Sequence, residues 1–121
     1  MKYVNYPFKE TKRLSFYLAT EEYLAREFES AEYFFMWQVK PTVIFGRNQL
    51  IENEVNMKYV KDNNIEFYRR KSGGGCVYAD YSNIMFSFIT PNFNKDFVFS
   101  TYLNRVADIL KKLGLNAYVS G

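Results

Sequence analysis

The sequence predicts an α+β domain in which a mixed, mainly antiparallel sheet is flanked by helices. Short runs rich in β-branched and aromatic residues alternate with turn residues along most of the chain. Two longer segments instead repeat apolar residues at helical spacing. Apolar residues make up 48% of the 121 residues and aromatic residues 20%, which is enough to bury a core. The length suits one small domain or part of a larger one.

The composition excludes several kinds of chemistry. The chain has no His and one Cys, which removes Ser-His-Asp and Cys-His nucleophile pairs, Cys/His zinc sites and any intrachain disulfide. The single Cys and the lack of a signal-peptide pattern predict a reducing cytoplasm. The net charge of +3, with scattered Lys and Arg, does not indicate nucleic acid, and no apolar run approaches the roughly 18 to 20 residues that cross a membrane. A local anionic ligand is still compatible with this composition.

The first elements are predicted to be a short strand at residues 2–6 and a helix from Leu14 to Phe28. Glu21 falls inside the apolar stripe of that helix, where an unpaired carboxylate is costly. Either backbone donors or a core Arg cap this carboxylate, or it is catalytic. The stripe repeats close to the i, i+3, i+4 spacing and consists of Leu14, Tyr17, Leu18, Leu24, Ala25 and Phe28.

The middle of the chain is predicted to be rich in strands. The runs AEYFFMWQV and PTVIFG, separated by a Lys-Pro pair, predict two neighbouring strands, the second ending at Gly46. A short helix is expected from Met57 to Asp62, with Asn56 as its N-cap and a stop at Asn63-Asn64. The runs IEFYRRKS, GCVYAD and NIMFSFIT then predict three strands in an antiparallel meander.

The last elements are predicted to be a second long helix and the start of a strand. The helix covers about Phe97 to Leu113 and stops at Gly114. The final residues, NAYVSG, predict a strand at the edge of the sheet, which is an unusual place for a compact domain to finish, so we expect a truncated domain. The apolar face of the helix consists of Phe99, Tyr102, Leu103, Val106, Leu110 and Leu113.

The segment RRKSGGGCVYAD, residues 69–80, is the most informative part of the sequence. Three glycines between two strands weaken the strands, so their use is positive φ or a close approach to a ligand. Such a turn can aim successive N–H groups at one point and form an anion cradle, although a plain glycine hairpin flanked by surface arginines is the alternative. Arg69 and Arg70 point to opposite faces by strand alternation, so only one shares the ligand face of the loop. The planar fork of arginine suits phosphate or carboxylate.

This segment differs from the two familiar nucleotide-binding glycine loops. Both the Walker A loop and the dinucleotide fingerprint open a helix, whereas Gly75 runs into an apparent strand at residues 76–78. A bound phosphate is therefore expected to rest on loop amides and an Arg rather than on a helix N-terminus.

Residues 69–80, followed by SNIMFSFI, resemble the RRxSGGGxVxHDxGNxxxSF signature of lipoate-protein ligases, members of the biotin and lipoate protein ligase superfamily. FYLATEEYL at 16–24 resembles the family's N-terminal helix, and FMWQVKPTVIFGRNQ at 35–49 resembles its Trp-containing strand and the Gly-Arg-Asn-Gln segment. The terminal VSG resembles the start of an SGRND segment. The resemblance implies a class II synthetase/biotin ligase-like fold, with residues 1–121 as the N-terminal part of a single catalytic domain.

The resemblance also implies an activity. Such ligases use ATP, with Mg²⁺, to convert lipoate to lipoyl-AMP and then transfer the lipoyl group to a lysine of a carrier domain. The carriers are those of 2-oxoacid dehydrogenase complexes or the glycine cleavage H protein. By position, the residues implied on the ATP and adenylate side are Arg70, Gly75, Cys76, Val77 and Tyr78. Those implied around lipoate are Leu18, Trp37, Arg70, Ser72, Gly73 and Gly74; for Leu18 and Trp37, ordinary core packing is an equal alternative.

The sequence departs from the family pattern at two places, and alternatives remain open. Ala79 replaces the family's His, and the family's essential lysine would lie beyond Gly121, so we expect no catalytic residue within the chain, an inactive isolated chain, and a missing C-terminal half as partner. The alternatives are an octanoyltransferase or biotin ligase relative and a non-catalytic or split-subunit module that binds lipoyl-adenylate. An acyl-Cys76 intermediate is disfavoured because no His can activate the thiol. If the loop contacts the acyl-adenylate, we expect Gly74→Ala to leave the melting temperature nearly unchanged.

Overall fold

The computed structural model describes residues 1–28, 30–91 and 99–120, and these form a mixed α+β fold. The predicted fold class is thereby confirmed, while the second, four-residue helix was not predicted. In chain order the elements are β1 (Lys2–Tyr3), α1 (Leu14–Glu27), β2 (Tyr33–Trp37), β3 (Thr42–Phe45), α2 (Ile51–Glu54), α3 (Met57–Asp62), β4 (Glu66–Arg69), β5 (Val77–Ala79), β6 (Met85–Ile89) and α4 (Phe99–Lys112).

The described strands form two sheets of three strands, each with one parallel and one antiparallel pairing. The first has the order β1-β2-β6, with β2 parallel to β1 and antiparallel to β6, so that Phe35 lies opposite Ser87. The second has the order β4-β3-β5, with β3 parallel to β4 and antiparallel to β5. Both sheets are therefore mixed, as predicted.

Three of the predicted strand pairings are wrong. The strands β2 and β3 were predicted to be neighbours, but they lie in different sheets. The strands β4, β5 and β6 do not form a meander, because β4 and β5 flank opposite sides of β3 and β6 pairs with β2. The reason is the connection between β4 and β5 at residues 70–76, which is too long for a tight hairpin and instead passes over the end of β3.

The main core lies between α1 and the first sheet. Leu14 and Tyr17 of α1 and Phe35 of β2 are almost fully buried, as the helical stripe predicts. Phe28, predicted to complete that stripe, is 43% exposed because α1 ends at Glu27. A second buried cluster joins β3 to α3 and consists of Val43, Phe45 and Val60.

The predicted boundaries of α3 are confirmed. The helix covers Met57–Asp62, and the side-chain oxygen of Asn56 accepts a hydrogen bond from the backbone N–H of Tyr59 at 3.1 Å. The chain then turns at Asn64, which has a positive φ of 53°. A short polar residue tolerates this left-handed conformation, so the helix ends where the sequence indicates.

The C-terminal part differs from the prediction. The expected first residues of α4, Phe97 and Val98, lie outside the described residues, and α4 is described from Phe99. Its predicted stop is confirmed at Gly114, whose φ is +86°. Residues 116–120 do not form the predicted strand, because neither described sheet pairs with them, and Gly121 is outside the described residues. Among the helices of the described residues, none has the length and apolar character to cross a membrane.

Candidate functional site

The glycine-rich loop at residues 70–76 packs against a second loop, residues 46–49. The backbone N–H of Arg47 donates a hydrogen bond to the carbonyl oxygen of Ser72 at 2.9 Å. A Cβ added to Gly46 would collide with the carbonyl group of Gly74, so the two backbones are in direct contact. Gly74 itself has a φ of +92°, which confirms the expectation that a glycine here adopts a positive φ.

Arg70 faces the glycine loop, as strand alternation predicts for one of the two arginines. Its Nη2 donates to the carbonyl oxygens of Gly73 at 2.7 Å and Gly75 at 2.8 Å. Its Nη1 donates to the carbonyl oxygen of Ile44 in β3 at 3.2 Å. The guanidinium therefore joins both sides of the glycine loop to the strand beneath it.

Arg69 points to the neighbouring loop instead. Its Nη1 donates to the carbonyl oxygens of Gly46 at 3.0 Å, Arg47 at 3.2 Å and Gln49 at 2.7 Å. The predicted separation of the two arginine side chains is confirmed. No pattern in the sequence indicated a partner for Arg69, and in the structure its side chain holds together the loop on which the glycine loop packs.

A groove of about 800 Å³ lies beside the glycine loop, between α1, β6 and the start of α4. Of the residues predicted near lipoate, it contains Leu18, Arg70 and Ser72, whereas Gly73 and Gly74 are not among its lining residues. Its walls also include several aromatic side chains. The lining residues that the sequence reasoning did not select include Tyr68, Phe86, Ser87, Phe88, Phe99 and Tyr102.

Trp37, also predicted near lipoate, lies behind the groove rather than in its wall. The indole is only 6% exposed and stacks on Tyr17, with ring centroids 4.8 Å apart. Its Nε1–H donates to Ser87 Oγ at 2.8 Å, and the Ser87 hydroxyl donates to Glu21 Oε1 at 2.5 Å. Ser87 and Glu21 do line the groove, so Trp37 reaches it only through these two residues.

The hydrogen-bond partner of Glu21 differs from the two kinds that the sequence analysis considers. A serine hydroxyl, not backbone donors or an Arg, bonds to it. Burial raises the pKa of Glu21, and the hydrogen bond from Ser87 only partly opposes this shift. The groove therefore contains one carboxyl group that resists ionisation. The inward-facing Ser87 in an otherwise apolar strand is the sequence signal that could have indicated this partner.

An ion pair links the glycine loop to α1 at the groove. Lys71 Nζ lies 2.6 Å from Glu22 Oε2, and Arg26 lies 2.5 Å from the other oxygen of Glu22. The hydrogen bond from Lys71 is the main reason that the pKa of Glu22 is lowered. Both Lys71 and Glu22 line the groove, so this ion pair lies in its wall.

The residues predicted on the adenylate side continue from the glycine loop into β5. Val77 is 47% exposed and Tyr78 is 51% exposed, while Cys76 is partly buried. Burial, followed by the charge of Glu54, raises the pKa of the Cys76 thiol, and Arg70 only partly opposes this. The thiol is therefore poorly suited to act as a nucleophile. In the described ranges, no group of three His, Cys, Asp or Glu side chains could hold a metal ion.

Residues 14–121 match the family model of the lipoyl protein ligase A/B catalytic domain. The chain belongs to this ligase family. It is 39% identical over 106 residues to lipoate–protein ligase 1 of Staphylococcus aureus and 40% identical over 106 residues to the lipoate-protein ligase LplJ of Bacillus subtilis. Each alignment covers 86% of this chain and 32% of the relative, so the chain spans about a third of the length of these curated ligases.

Solved ligase structures share this fold. The chain is similar to P. falciparum LipL1 in complex with lipoate (TM-score 0.80, 26% identity, covering 93% of this chain and 37% of that one). It is similar to lipoate-protein ligase A bound with ATP (TM-score 0.70, 31% identity, 81% and 41%). A third is a bi-partite lipoate protein ligase from Thermoplasma acidophilum, studied with its E2 lipoyl domain (TM-score 0.72, 29% identity, 86% and 42%). The expected ligase-like fold is thereby confirmed.

Proposed function

We propose that this chain forms the acyl-adenylate-binding part of a lipoate-protein ligase. The observation that carries the proposal is the position of the glycine loop, with Arg70 beneath it, at the rim of a groove lined largely by apolar side chains. An acyl-adenylate needs an apolar slot and an anion-binding loop next to each other. The relatives' names and the lipoate-bound and ATP-bound neighbours support the same assignment.

In this proposal the acyl chain of lipoate lies in the groove. Leu18 and Phe86 supply apolar walls, and Arg70 and Ser72 lie at the end where a carboxylate would meet the loop. Glu21 also lines the groove, and burial raises its pKa. Trp37 supports the wall through Ser87 and does not itself contact the acyl chain.

The adenylate lies on the other side of the loop. Gly73 and Gly74 place the backbone where it can approach the acyl-phosphate junction, and Gly75, Cys76, Val77 and Tyr78 lead along β5 beside the nucleotide, mainly through backbone groups. The first step joins a lipoate carboxylate oxygen to the α-phosphorus of ATP and releases pyrophosphate. In the second step a lysine amine attacks the acyl carbon, AMP leaves, and an amide forms.

The chain's own contribution to both steps is electrostatic. Negative charge concentrates on the α-phosphate and then on the acyl oxygen, and donors fixed before the reaction stabilise such charge best. Mg²⁺ would enter with ATP, whose phosphate oxygens, together with water, would supply most of its ligands.

The acceptors and location also belong to the proposal. We infer that the acceptors are lipoyl carrier domains of 2-oxoacid dehydrogenase complexes or the glycine cleavage H protein, consistent with the E2 lipoyl domain studied with the Thermoplasma ligase. A cytoplasmic location agrees with a single, unpaired cysteine. Octanoyl transfer through Cys76 is disfavoured, because the raised pKa of the thiol and the absence of His leave it without activation.

The test compares the binding of two acyl-adenylate analogues to the purified chain. We expect a non-hydrolysable lipoyl-adenylate analogue, with a sulfamate in place of the phosphate, to bind and raise the melting temperature, and the matching biotinyl analogue to bind at least tenfold more weakly. Leu18→Trp should weaken the lipoyl analogue because it fills the groove. The control is Lys58→Ala, which removes an exposed pair with Asp62 outside the groove. Equal binding of both analogues, or binding unaffected by Leu18→Trp, would contradict the assignment.

A further inference from the structure

The hydrogen bonds of Arg70 fix the orientation of two peptide groups in the glycine loop. The carbonyl groups of Gly73 and Gly75 both point at its Nη2. In a planar trans peptide, the C=O of one residue and the N–H of the next point in opposite directions, and the described chain has no cis peptide bond. The N–H groups of Gly74 and Cys76 therefore point away from the guanidinium.

The amides of the loop are available to a ligand. Among the described residues, the N–H groups of Gly73, Gly74 and Gly75 donate to no backbone or side-chain acceptor. These glycines are exposed, and no heavy atom lies within 4 Å of a Cβ added at Gly73 or Gly75. Space and unpaired donors thus occur on the side of the loop opposite Arg70, where they form an anion-binding concavity.

Arg70 has few donors left for a ligand. Both Nη2 hydrogens are directed to loop carbonyls, and one Nη1 hydrogen is directed to Ile44 in β3. The guanidinium is also packed beneath the loop, because a Cβ on Gly74 would lie 2.9 Å from Nη2. A side chain held in this way is placed to orient the loop.

We propose that Arg70 is a positioning residue that acts through the carbonyl groups of Gly73 and Gly75. By holding the carbonyl group of Gly73 inward, it turns the unpaired amide of Gly74 outward to receive an anionic group, and it likewise turns the amide of Cys76 away from the guanidinium. The ligand is the phosphate-bearing part of the acyl-adenylate, and this half of the inference rests on the proposed function. The orientation of the ligand-free loop does not depend on it.

The test uses amide NMR spectra of the whole 121-residue chain without ligand. In Arg70→Ala we expect large changes in the amide resonances of the glycine loop, with the rest of the spectrum conserved. Guanidinium chloride at about 20 mM, far below denaturing concentrations, should bring these resonances back toward their original positions by occupying the vacated space. The matched control is Arg13→Ala, which removes an exposed arginine paired with Glu66. It should leave the loop resonances unchanged.

A second variant covers the case in which Arg70→Ala does not fold. Arg70→Lys keeps a positive charge but lacks the planar guanidinium that bonds to both carbonyl groups, so it should produce the same loop changes. Loop resonances unchanged in both variants would overturn the positioning role.

Binding of AMP, followed in the same samples, separates this inference from the proposed function. We expect Arg70→Ala to weaken AMP binding by about tenfold, with partial recovery on adding guanidinium. Loss of AMP binding with an unchanged ligand-free loop would show that Arg70 contacts the ligand directly, and the positioning role would be wrong. If Arg70→Ala changes the loop but neither the original chain nor the variant binds AMP, the result would contradict the proposed function while supporting the positioning role.

Discussion

Replacing Gly46 by Ala tests whether the two loops of the site form one structural unit. Gly46 has no positive φ, so the substitution introduces no backbone strain, and it would by itself stabilise the chain by about 0.4 to 1 kcal/mol through the unfolded state. The added Cβ, however, would collide with the carbonyl oxygen of Gly74 and lie 3.0 Å from its carbonyl carbon. Backbone atoms cannot rotate away as a side chain can, so one loop must move.

The magnitude follows from these opposing terms. Overpacking typically costs about 1 to 3 kcal/mol, and because the collision is between backbone atoms we expect a cost near the upper end, which leaves a net loss of about 2 kcal/mol after the entropic gain. For a domain of this size we expect the melting temperature to fall by about 4 °C or more. The shift should also break the hydrogen bond from Arg47 to Ser72, so the loop amides should change their NMR resonances.

The assay is thermal and urea unfolding of Gly46→Ala beside Gly75→Ala. Gly75 has an ordinary φ and open space around its Cβ position, so its substitution should leave stability unchanged or slightly higher. Gly74 is a poor choice for this control, because its φ of +92° penalises any side chain. We therefore expect Gly74→Ala to lower the melting temperature, and not to leave it nearly unchanged as the sequence analysis predicts. A Gly46→Ala protein as stable as the original chain would refute the loop contact.

Three further predictions concern the polar groups around the groove. Burial raises the pKa of Glu21 in the folded state above its value in the unfolded state. The protein should therefore lose stability as the pH rises through that raised pKa. In melting curves recorded from about pH 4 to about pH 8, Glu21→Gln should lose less stability over this range than the original chain. Trp37→Phe should cost about 1 to 3 kcal/mol in urea unfolding, because Ser87 loses its buried donor, and a cost near zero would show that the bond is unimportant. Cys76→Ser should retain binding of the lipoyl-adenylate analogue, and native Cys76 should react slowly with iodoacetamide because burial raises its pKa.

Helix positions could be predicted because their signals are local. The apolar spacing from Leu14 to Leu24 and the cap at Asn56 each depend on a few neighbouring residues, and both are confirmed. Strand pairing depends on residues that are distant in the sequence. Here the strands that follow each other along the chain were wrongly predicted to pair. Residues Thr42–Phe45 of β3 are all buried, which is typical of a central strand covered on both faces. The apolar run Val43–Phe45 after Thr42 was the signal that β3 is a central strand with a neighbour on each side.

The location of the candidate site stays a prediction from the sequence, and the arrangement of its side chains could not be predicted. The run of glycines indicated a ligand loop, and alternation correctly separated Arg69 from Arg70. Strand alternation predicts the face on which a side chain lies but not the atoms that it contacts, so it could not predict that both arginines bond to backbone carbonyl groups. Trp37 was placed near lipoate by the family resemblance alone, with core packing as an equal alternative, and in the structure its indole is buried and donates to Ser87.

The two arginines explain how a loop can be held in place and still attract an anion. Each bonds to backbone carbonyls, Arg69 in residues 46–49 and Arg70 in residues 73–75, and the two loops touch where Gly46 meets Gly74. Carbonyl dipoles satisfy the donors but do not cancel the charge. Within the part of the chain that the structure describes, neither guanidinium forms a salt bridge with a carboxylate. Two positive charges thus remain close to the glycine loop, in which the amides of Gly73, Gly74 and Gly75 make no hydrogen bond, so the contacts that fix the two loops also keep a positive potential at the site.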